Sequence, residues 1–582
     1  MQSDHGKRAA GTGPAVSQLI SRLSELRNRF SPTDRAEKLR LLTQLHGRTI
    51  SRPALLLAFH ETLCFLQAYP DDARVLDATD RALARVADRV RVLEDRHPAA
   101  LQELDDTGMI GTRISYPHTW PVVRELVRLF PDHVRIDRED YDDTDKLDEL
   151  VRMLVCRLEY DALDDTEADP WEFLDQVSRA EDVTDLSWLV RRLEEAPWPE
   201  DTKARLYDTL GLWMDFRLDR RSVSRTLAWR RPKNVAFQRK PLPGRSPDTA
   251  RAITRPAPLP RRLSDQRGAE LIRRARLTSC LRRREVYGHT HGNPAEVYVT
   301  QPGNGIEIAY IGALPEYRFP LESTYATAII KNGAPIGYGY HTLLFDRAET
   351  GINIYDTFRG AEAAYIFERM LAGLYALFGV TRFIVHRYQI GDDNEEAVQS
   401  GSYWFYYKMG FRPLDPKAAA LTRRELDRIQ RQPDYRSSAP TLRRLARTEM
   451  FLGVKGHRPD TGGDLRPGLL ALRVSAHIQR AFAGDRNAAR KAAAASVARK
   501  LNLTRPHSWP APQKRWYQRL CVLLNLIPDL GDWPDRDKTS LARILQAKGA
   551  SQELLYVRRM QKHLRFRQAI ELLAAGKLNQ SS

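Results

Sequence analysis

The stretch from Gly351 to Phe411 comes closest to chemistry: GINIYDTFRGAEAAYIFERMLAGLYALFGVTRFIVHRYQIGDDNEEAVQSGSYWFYYKMGF. Arg359-Gly360 stands at the bend between a β-patterned run, GINIYDTF, and a helical pattern, AEAAYIFERMLAGLYALF. A glycine there lets backbone approach a ligand closely, and small Ala361, Ala363 and Ala364 keep the first helical turn open. The first amides of the helix then point at the turn, an arrangement that suits a phosphate. Arg359 adds a charge-assisted contact. The same residues also describe an ordinary β–α turn with glycine at the bend.

The elements around the turn have a definite order. Ala363, Ile366, Phe367, Met370, Leu371, Leu374 and Phe378 form one apolar stripe, which lays this helix on a sheet. A second strand, TRFIVHRYQIG, precedes Asp392-Asp393-Asn394 and a helix that runs into SYWFYYKMGF. Tyr403, Trp404 and Phe405 in that helix read as packing residues. Upstream, AEVYVTQ, IEIAYIGA, TYATAIIKNGAPIGYGYHTLLF and TGINIYDTF alternate as strands do, and Asn332-Gly333 between two such runs signals a hairpin.

Flanking this centre, the patterning is helical. Leu19, Leu23 and Leu26 recur at helical spacing, and similar runs continue toward residue 220. Residues 221–265 are rich in proline and arginine, as an extended linker or a segment draped over another surface would be. Helical patterns return after Phe411. The expected fold class is therefore multidomain α and α/β. A disordered N-terminus spans 1–15, and an all-helical domain spans 16–220. A basic linker (221–265) leads to a central mixed sheet with flanking helices (266–415) and a basic helical C-terminal region (416–582).

Composition narrows the class further. A chain of 582 residues is too long for one core. No apolar run approaches the roughly 18 residues of a membrane span, and the N-terminal MQSDHGKRAAGTGPAV lacks the apolar core of a secretory signal. Four scattered cysteines without a CxxC pair argue against a disulfide framework or zinc knuckle, so a cytoplasmic location is expected. The net charge of +18 is uneven: −12 over 1–220, +15 over 221–285, −5 over 286–411 and +20 over 412–582. Three readings stay open: a polyanion partner, basic arms docking on the acidic front half, or arginine written wherever a solvated charge is tolerated.

Asn394-Glu395-Glu396-Ala397 and Tyr406-Tyr407-Lys408-Met409-Gly410-Phe411, after a strand, basic turn and helix, resemble the Gcn5-related N-acetyltransferase superfamily. There an N-x-x-A element and a Y-x-x-x-G-F element follow a phosphate-binding turn of the form Q/R-x-x-G-x-G/A. The resemblance spans roughly residues 305–415. It implies an acyl-CoA cleft for acetyl-CoA or another acyl-CoA, with Tyr355, Arg359, Gly360, Ala361, Ala363, Ala364 and Asn394 against the cofactor. Tyr406 becomes the acid that protonates the departing thiolate. A transferase of this kind also needs a base near the acceptor amine; Glu307, Glu322, His341 and Asp356 lie on expected strands, with Asp356 nearest the acyl site.

This chain departs from the pattern in three ways. Thr357 stands at the Q/R position, and Glu362 stands at the final small position, where its charge opposes a pyrophosphate unless it points away. The stretch from Ala397 to Tyr406 is also longer than usual and contains Gly401, which can kink the helix. The implied function is N-acyl transfer to an amine of a protein or other macromolecule. The alternative is an inactive relative, or a nucleic-acid-binding protein using the basic segments 221–285 and 412–582. For the latter, Arg558, Arg559, Lys562, Arg565 and Arg567 cluster on one amphipathic helix. No metal site is expected: His60-Glu61-Thr62-Leu63-Cys64 begins like a zinc helix but has no third ligand.

Overall fold

A computed structural model describes residues 15–166, 169–226, 230–360, 362–455 and 467–576. Residues 1–14 of the expected disordered N-terminus lie outside the described residues; Ala15 caps the first helix, Val16–Leu26. The architecture is mixed α/β, with a large mixed sheet and helices on its faces.

The front half contains two cores rather than one. Helices from Val16 to Arg96 bury Leu23, Leu45, Leu56, Leu63 and Val90 together. A second core surrounds a three-stranded antiparallel sheet in the order β1-β3-β2: β1 (Arg113–Tyr116), β2 (Val134–Ile136) and β3 (Met214–Arg217). The expectation of an all-helical 16–220 is thus corrected. RISY, VRI and MDFR are too short for alternation to stand out among amphipathic helices, and each becomes a strand only by pairing with the others.

The linker is draped over the molecule. Its Arg225 pairs with Glu61 and its Arg231 lies 3.3 Å from Asp77, so basic residues here dock on the acidic front half. Gln238 donates its amide to the Pro70 carbonyl at 2.8 Å, and Ser246 donates its hydroxyl to Glu368 at 2.8 Å. The chain then forms β4 (Arg261–Arg262) and the helix Asp265–Cys280.

The central sheet has nine strands. After β4 come β5 (Gly292–Gly303), β6 (Ile306–Ala313), β7 (Ser323–Lys331), β8 (Ala334–Leu344), β9 (Arg347–Ile354), β10 (Arg382–Val385), β11 (Arg412–Pro413) and β12 (Met450–Gly453). Their order is β11-β12-β10-β9-β8-β7-β6-β5-β4, antiparallel throughout except for the parallel pair β9–β10. The crossover helix Ala363–Phe378 joins that pair, as parallel neighbours require. β12 belongs to this sheet although it lies beyond 415, so the C-terminal region is not purely helical and the expected boundary cuts through the sheet.

Period-two alternation assigns the faces. Ala309, Ile311 and Ala328 face the helix Asp265–Cys280 through Leu271, Ile272 and Ala275. Ile308, Tyr310 and Ile329 face the crossover helix and the C-terminal helices. The hairpin at Asn332-Gly333 has both residues at positive φ, 46° and 82°, as a two-residue turn with the strands' own twist requires. A Cβ at Gly333 would also lie 1.9 Å from the Arg230 carbonyl oxygen, so the linker can cross here only over a glycine.

The C-terminal arginine cluster is largely used within the fold. Arg558 donates to the Leu377 carbonyl at 2.7 Å, and Arg559 to that of Arg543 at 2.8 Å. Arg565 pairs with Asp537 at 3.1 Å, and Arg567 with Asp346 at 2.7 Å. Among the described residues no helix is long and apolar enough to cross a membrane.

Candidate active site where two parallel strands part

β9 and β10 pair at only three positions: Arg347 with Arg382, Ala348 with Phe383, and Glu349 with Ile384. β9 then continues to Ile354, while β10 ends at Val385. Beyond Glu349 the two strands part and leave a wedge, with one edge of β9 free of a strand partner.

Three side chains meet in the wedge. Tyr406 enters from the side of the crossover helix, its ring 5.5 Å from Phe367, 5.2 Å from Phe405 and 5.8 Å from Phe411 between centroids. Burial drives its pKa upward, and a hydrogen bond with the Ile352 backbone opposes part of that rise. Gln389 and Tyr340 enter beside Gly351. A Cβ at Gly351 would lie 2.5 Å from the Tyr340 ring and 3.0 Å from Gln389 Oε1, so the missing side chain makes room for both.

Glu349 marks the point of parting. Burial raises its carboxyl pKa; His386 opposes the rise, Glu449 adds to it and Arg347 opposes it. Burial first, and then the Glu349 carboxylate, push the Tyr340 phenol upward. A carboxyl whose pKa burial raises, beside the Tyr340 phenol and the His386 imidazole, is a candidate for proton exchange.

The residues expected from sequence are distributed unevenly around this wedge. Tyr406 is in it. Asn394 is committed to its own helix: it caps Glu395–Gln399, its Oδ1 accepting the Ala397 amide at 3.1 Å. Arg359 bridges Asp356, at 2.8 Å, and Glu396. Gly360 has φ 78°, with nothing within 4 Å of a Cβ placed on it, so the turn is open. Ala361 lies outside the described residues. Ala363 and Ala364 form the first turn of the crossover helix and are half-buried. Glu362 points inward and pairs with Lys331 at 2.6 Å, both fully buried, which removes its charge from the turn.

Three placements differ from expectation. The Tyr355 ring lies under the Arg282 guanidinium, 4.0 Å from its Cζ, and faces a separate cavity. Asp356 follows the strand in a short 3-10 turn, and its side chain is 78% exposed, too solvated for a tuned base. Glu322 is half-buried just before β7; its pKa is raised by burial, lowered by Arg347 and raised by Glu349, so it supports the Glu349 site from outside the wedge. Glu307 is bonded to Gln301 at 3.0 Å on the surface. His341 is buried beside Thr350, with its pKa lowered to about 3 by burial alone.

Sequence reasoning missed Glu349, Gln389 and Tyr340. A signal for Glu349 was present: it is a charged residue inside the strand run RAETGINI, two positions from Gly351 and hence on the same face. Gln389 carries no comparable mark. His60, in the zinc-like motif, is buried against Thr226 at 3.3 Å, with its pKa lowered to about 4 mainly by burial. Trp404 does more than pack: with Tyr407, Lys408, Arg412 and Tyr435 it lines a cavity of about 800 Å³ on the outer face of the helix Ser402–Lys408.

No family model, curated protein or solved structure matches this chain.

Proposed function

We propose that the protein transfers an acyl group from acetyl-CoA or another acyl-CoA to an amine on a protein or other macromolecular acceptor. The observation that carries this reading is the parting of β9 from β10 after Glu349, with Tyr406 and Glu349 both at the gap. The turn at Arg359-Gly360 supports it: there is open space above Gly360, and Glu362 is withdrawn to Lys331, so residues there fit a diphosphate. Seating an acyl arm in the wedge requires the Tyr406 ring and Gln389 to swing aside.

Bound acyl-CoA supplies an electrophilic thioester carbon and a thiolate leaving group. The neutral acceptor amine attacks through its nitrogen lone pair, and Glu349 takes one proton from that nitrogen as the new C–N bond forms, leaving the amide N–H. The Ile352 amide, on the unpartnered edge of β9, donates to the carbonyl oxygen as it gains charge. As the C–S bond breaks, Tyr406 gives its hydroxyl proton to sulfur. Glu349's proton returns to solvent, and Tyr406 is reprotonated from it.

Acetyl-CoA at about 100 times its Kd is expected to raise the unfolding free energy by roughly 2.7 kcal/mol. Tyr406→Phe and Glu349→Gln are each expected to lower kcat at least about 100-fold, while Asp356→Asn changes it less than about twofold. A protein whose melting temperature ignores acetyl-CoA and longer acyl chains would overturn the reading. The second reading, a non-catalytic scaffold, is favoured by the Tyr406 ring standing in the wedge and predicts that null result.

A further inference from the structure

A cavity of about 470 Å³ lies between the N-terminal helices and the C-terminal end of β9, and four arginines reach it: Arg27, Arg225, Arg282 and Arg284. They come from three separate parts of the chain: the end of the first helix, the linker, and the turn after the helix Asp265–Cys280. The cavity is built rather than incidental. The loop at Gly108 closes on Arg225: the Arg225 amide donates to the Gly108 carbonyl at 3.0 Å, and a Cβ at Gly108 would lie 3.0 Å from the Arg225 side chain. The Arg282 Cζ lies over the Tyr355 ring, 4.0 Å from its centroid, within cation–π range.

Three carboxylates also line the space, and each is committed. Glu61 binds Arg225 and the Thr357 hydroxyl. Asp106 pairs with Arg283 at 2.9 Å and accepts the Ser115 amide at 2.9 Å. Asp356 pairs with Arg359 at 2.8 Å. Arg225 is paired with Glu61 and Arg284 has Glu396 nearby, so the positive charge without an ion pair among the described residues rests on Arg27 and Arg282. Among the described residues Arg282 has no ion pair; it donates to the Thr278 carbonyl at 3.3 Å. Arg27 lies over Phe65, with 5.2 Å from its Cζ to the ring centroid. Arg284 has Glu396 at 3.8 Å and the Tyr338 hydroxyl at 3.4 Å. The Nε atoms of Arg225 and Arg282 are buried without a partner.

Guanidinium groups crowded this way repel one another. Burial first, and then Arg225, lower the pKa of Arg282 to about 10, so it stays charged at neutral pH while bearing that repulsion. A ligand that accepts several N–H bonds and carries more than one negative charge removes the conflict, and arginine forks match phosphate oxygens in pairs. The space exceeds what one inorganic phosphate fills and falls within the range of small-ligand sites.

We infer that this cavity binds a phosphate-bearing small molecule, its phosphate held by Arg225, Arg282 and Arg284. The site stands apart from the wedge and does not depend on acyl transfer. Tyr338, beside Arg284, is two residues from Tyr340 on the same face of β8, so a molecule seated here lies on the Tyr340 side of the sheet.

The test is calorimetric titration of the full chain with inorganic phosphate at constant ionic strength, with acetate as the comparison anion. Saturable phosphate binding is expected, weakened at least about tenfold in Arg282→Gln and changed less than about twofold in Arg436→Gln, a residue of the Trp404 cavity. Phenylglyoxal modification of the unaltered protein, mapped by mass spectrometry, needs no variant: phosphate should protect Arg282 and Arg284. Absence of saturable binding, equal binding in a folded Arg282→Gln, or unprotected arginines would each overturn the site. Displacement of phosphate by acetyl-CoA would also overturn it, by assigning the cavity to the phosphates of that cofactor. Loss of acetyl-CoA binding with phosphate binding retained would sink only the acyltransferase reading.

Discussion

Two clusters of charge in this protein are built on opposite terms. In one, Arg318, Glu296, Glu553 and Lys548 are all fully buried and balance two against two. Arg318 donates to the Lys548 carbonyl at 2.8 Å, Tyr325 donates to Glu296 at 2.6 Å, and the Leu554 amide donates to Glu296 at 2.8 Å. This cluster fastens the C-terminal helices to β5 and β7. In the other, the arginine cavity, the carboxylates are engaged and guanidinium groups remain over. Where the fold buries charge to hold itself together, it closes the account with partners; an arginine surplus facing a cavity serves something the fold alone does not supply.

Removing one member of the balanced cluster is expected to have the largest effect. Arg318→Met leaves Glu296 and Glu553 buried without their shared cation and should cost about 3–5 kcal/mol in denaturant unfolding. A loss below about 1 kcal/mol would mean that the cluster is hydrated and the contrast false.

The same cluster should give a pH signature. Burial raises Glu296 to about 7; Arg318 opposes the rise and Glu553 adds to it. Because the folded pKa exceeds the unfolded value, the folded state keeps a proton that the unfolded chain has released. Stability from this group therefore falls as pH rises from about 4.5 to 7, by about 2 kcal/mol. Glu296→Gln should flatten that slope, as urea midpoints at pH 5 and 7 would reveal.

In the wedge, Tyr406→Phe removes the partner of the Ile352 backbone and should destabilise by about 1–2 kcal/mol. Arg282→Gln sharpens the comparison from the other side. Without phosphate it should change unfolding free energy by less than about 1 kcal/mol, with relief of repulsion offsetting lost packing on Tyr355. A loss as large as that of Arg318→Met would make Arg282 structural. Asp356→Asn, on an exposed pair, should move stability by less than about 0.5 kcal/mol.

Much of the central sheet was legible along the chain. Alternation gave β5 to β9, Asn332-Gly333 gave the hairpin, and the apolar stripe from Ala363 to Phe378 gave the crossover helix. Tyr406 belongs to a local motif, and the structure sets it against Phe367 and the Ile352 backbone. β12 was not legible, because MFLG is four residues long and becomes a strand only between β10 and β11. Asn394 illustrates the opposite error: its position suggested a cofactor contact, and its acceptor atom caps a five-residue helix. Tyr355 and Asp356 adjoin Arg359 in sequence, yet the 3-10 turn after β9 puts both at the arginine cavity, Tyr355 buried under Arg282 and Asp356 at the solvated rim.

What residue order alone settled were the kinds of the longer elements and the faces they bury, since periodicity there acts over a few residues and needs no distant partner, unlike the three- and four-residue strands β1, β2, β3 and β12. It also settled the uneven charge along the chain. Which charges meet was decided by packing. Glu61, Arg225, Arg282 and Thr357 come together only when the front helices, the linker and the end of β9 close on one another. The wedge likewise exists because pairing with β10 stops at Glu349, five residues short of the end of β9, a register that hydrogen bonding between distant strands determines.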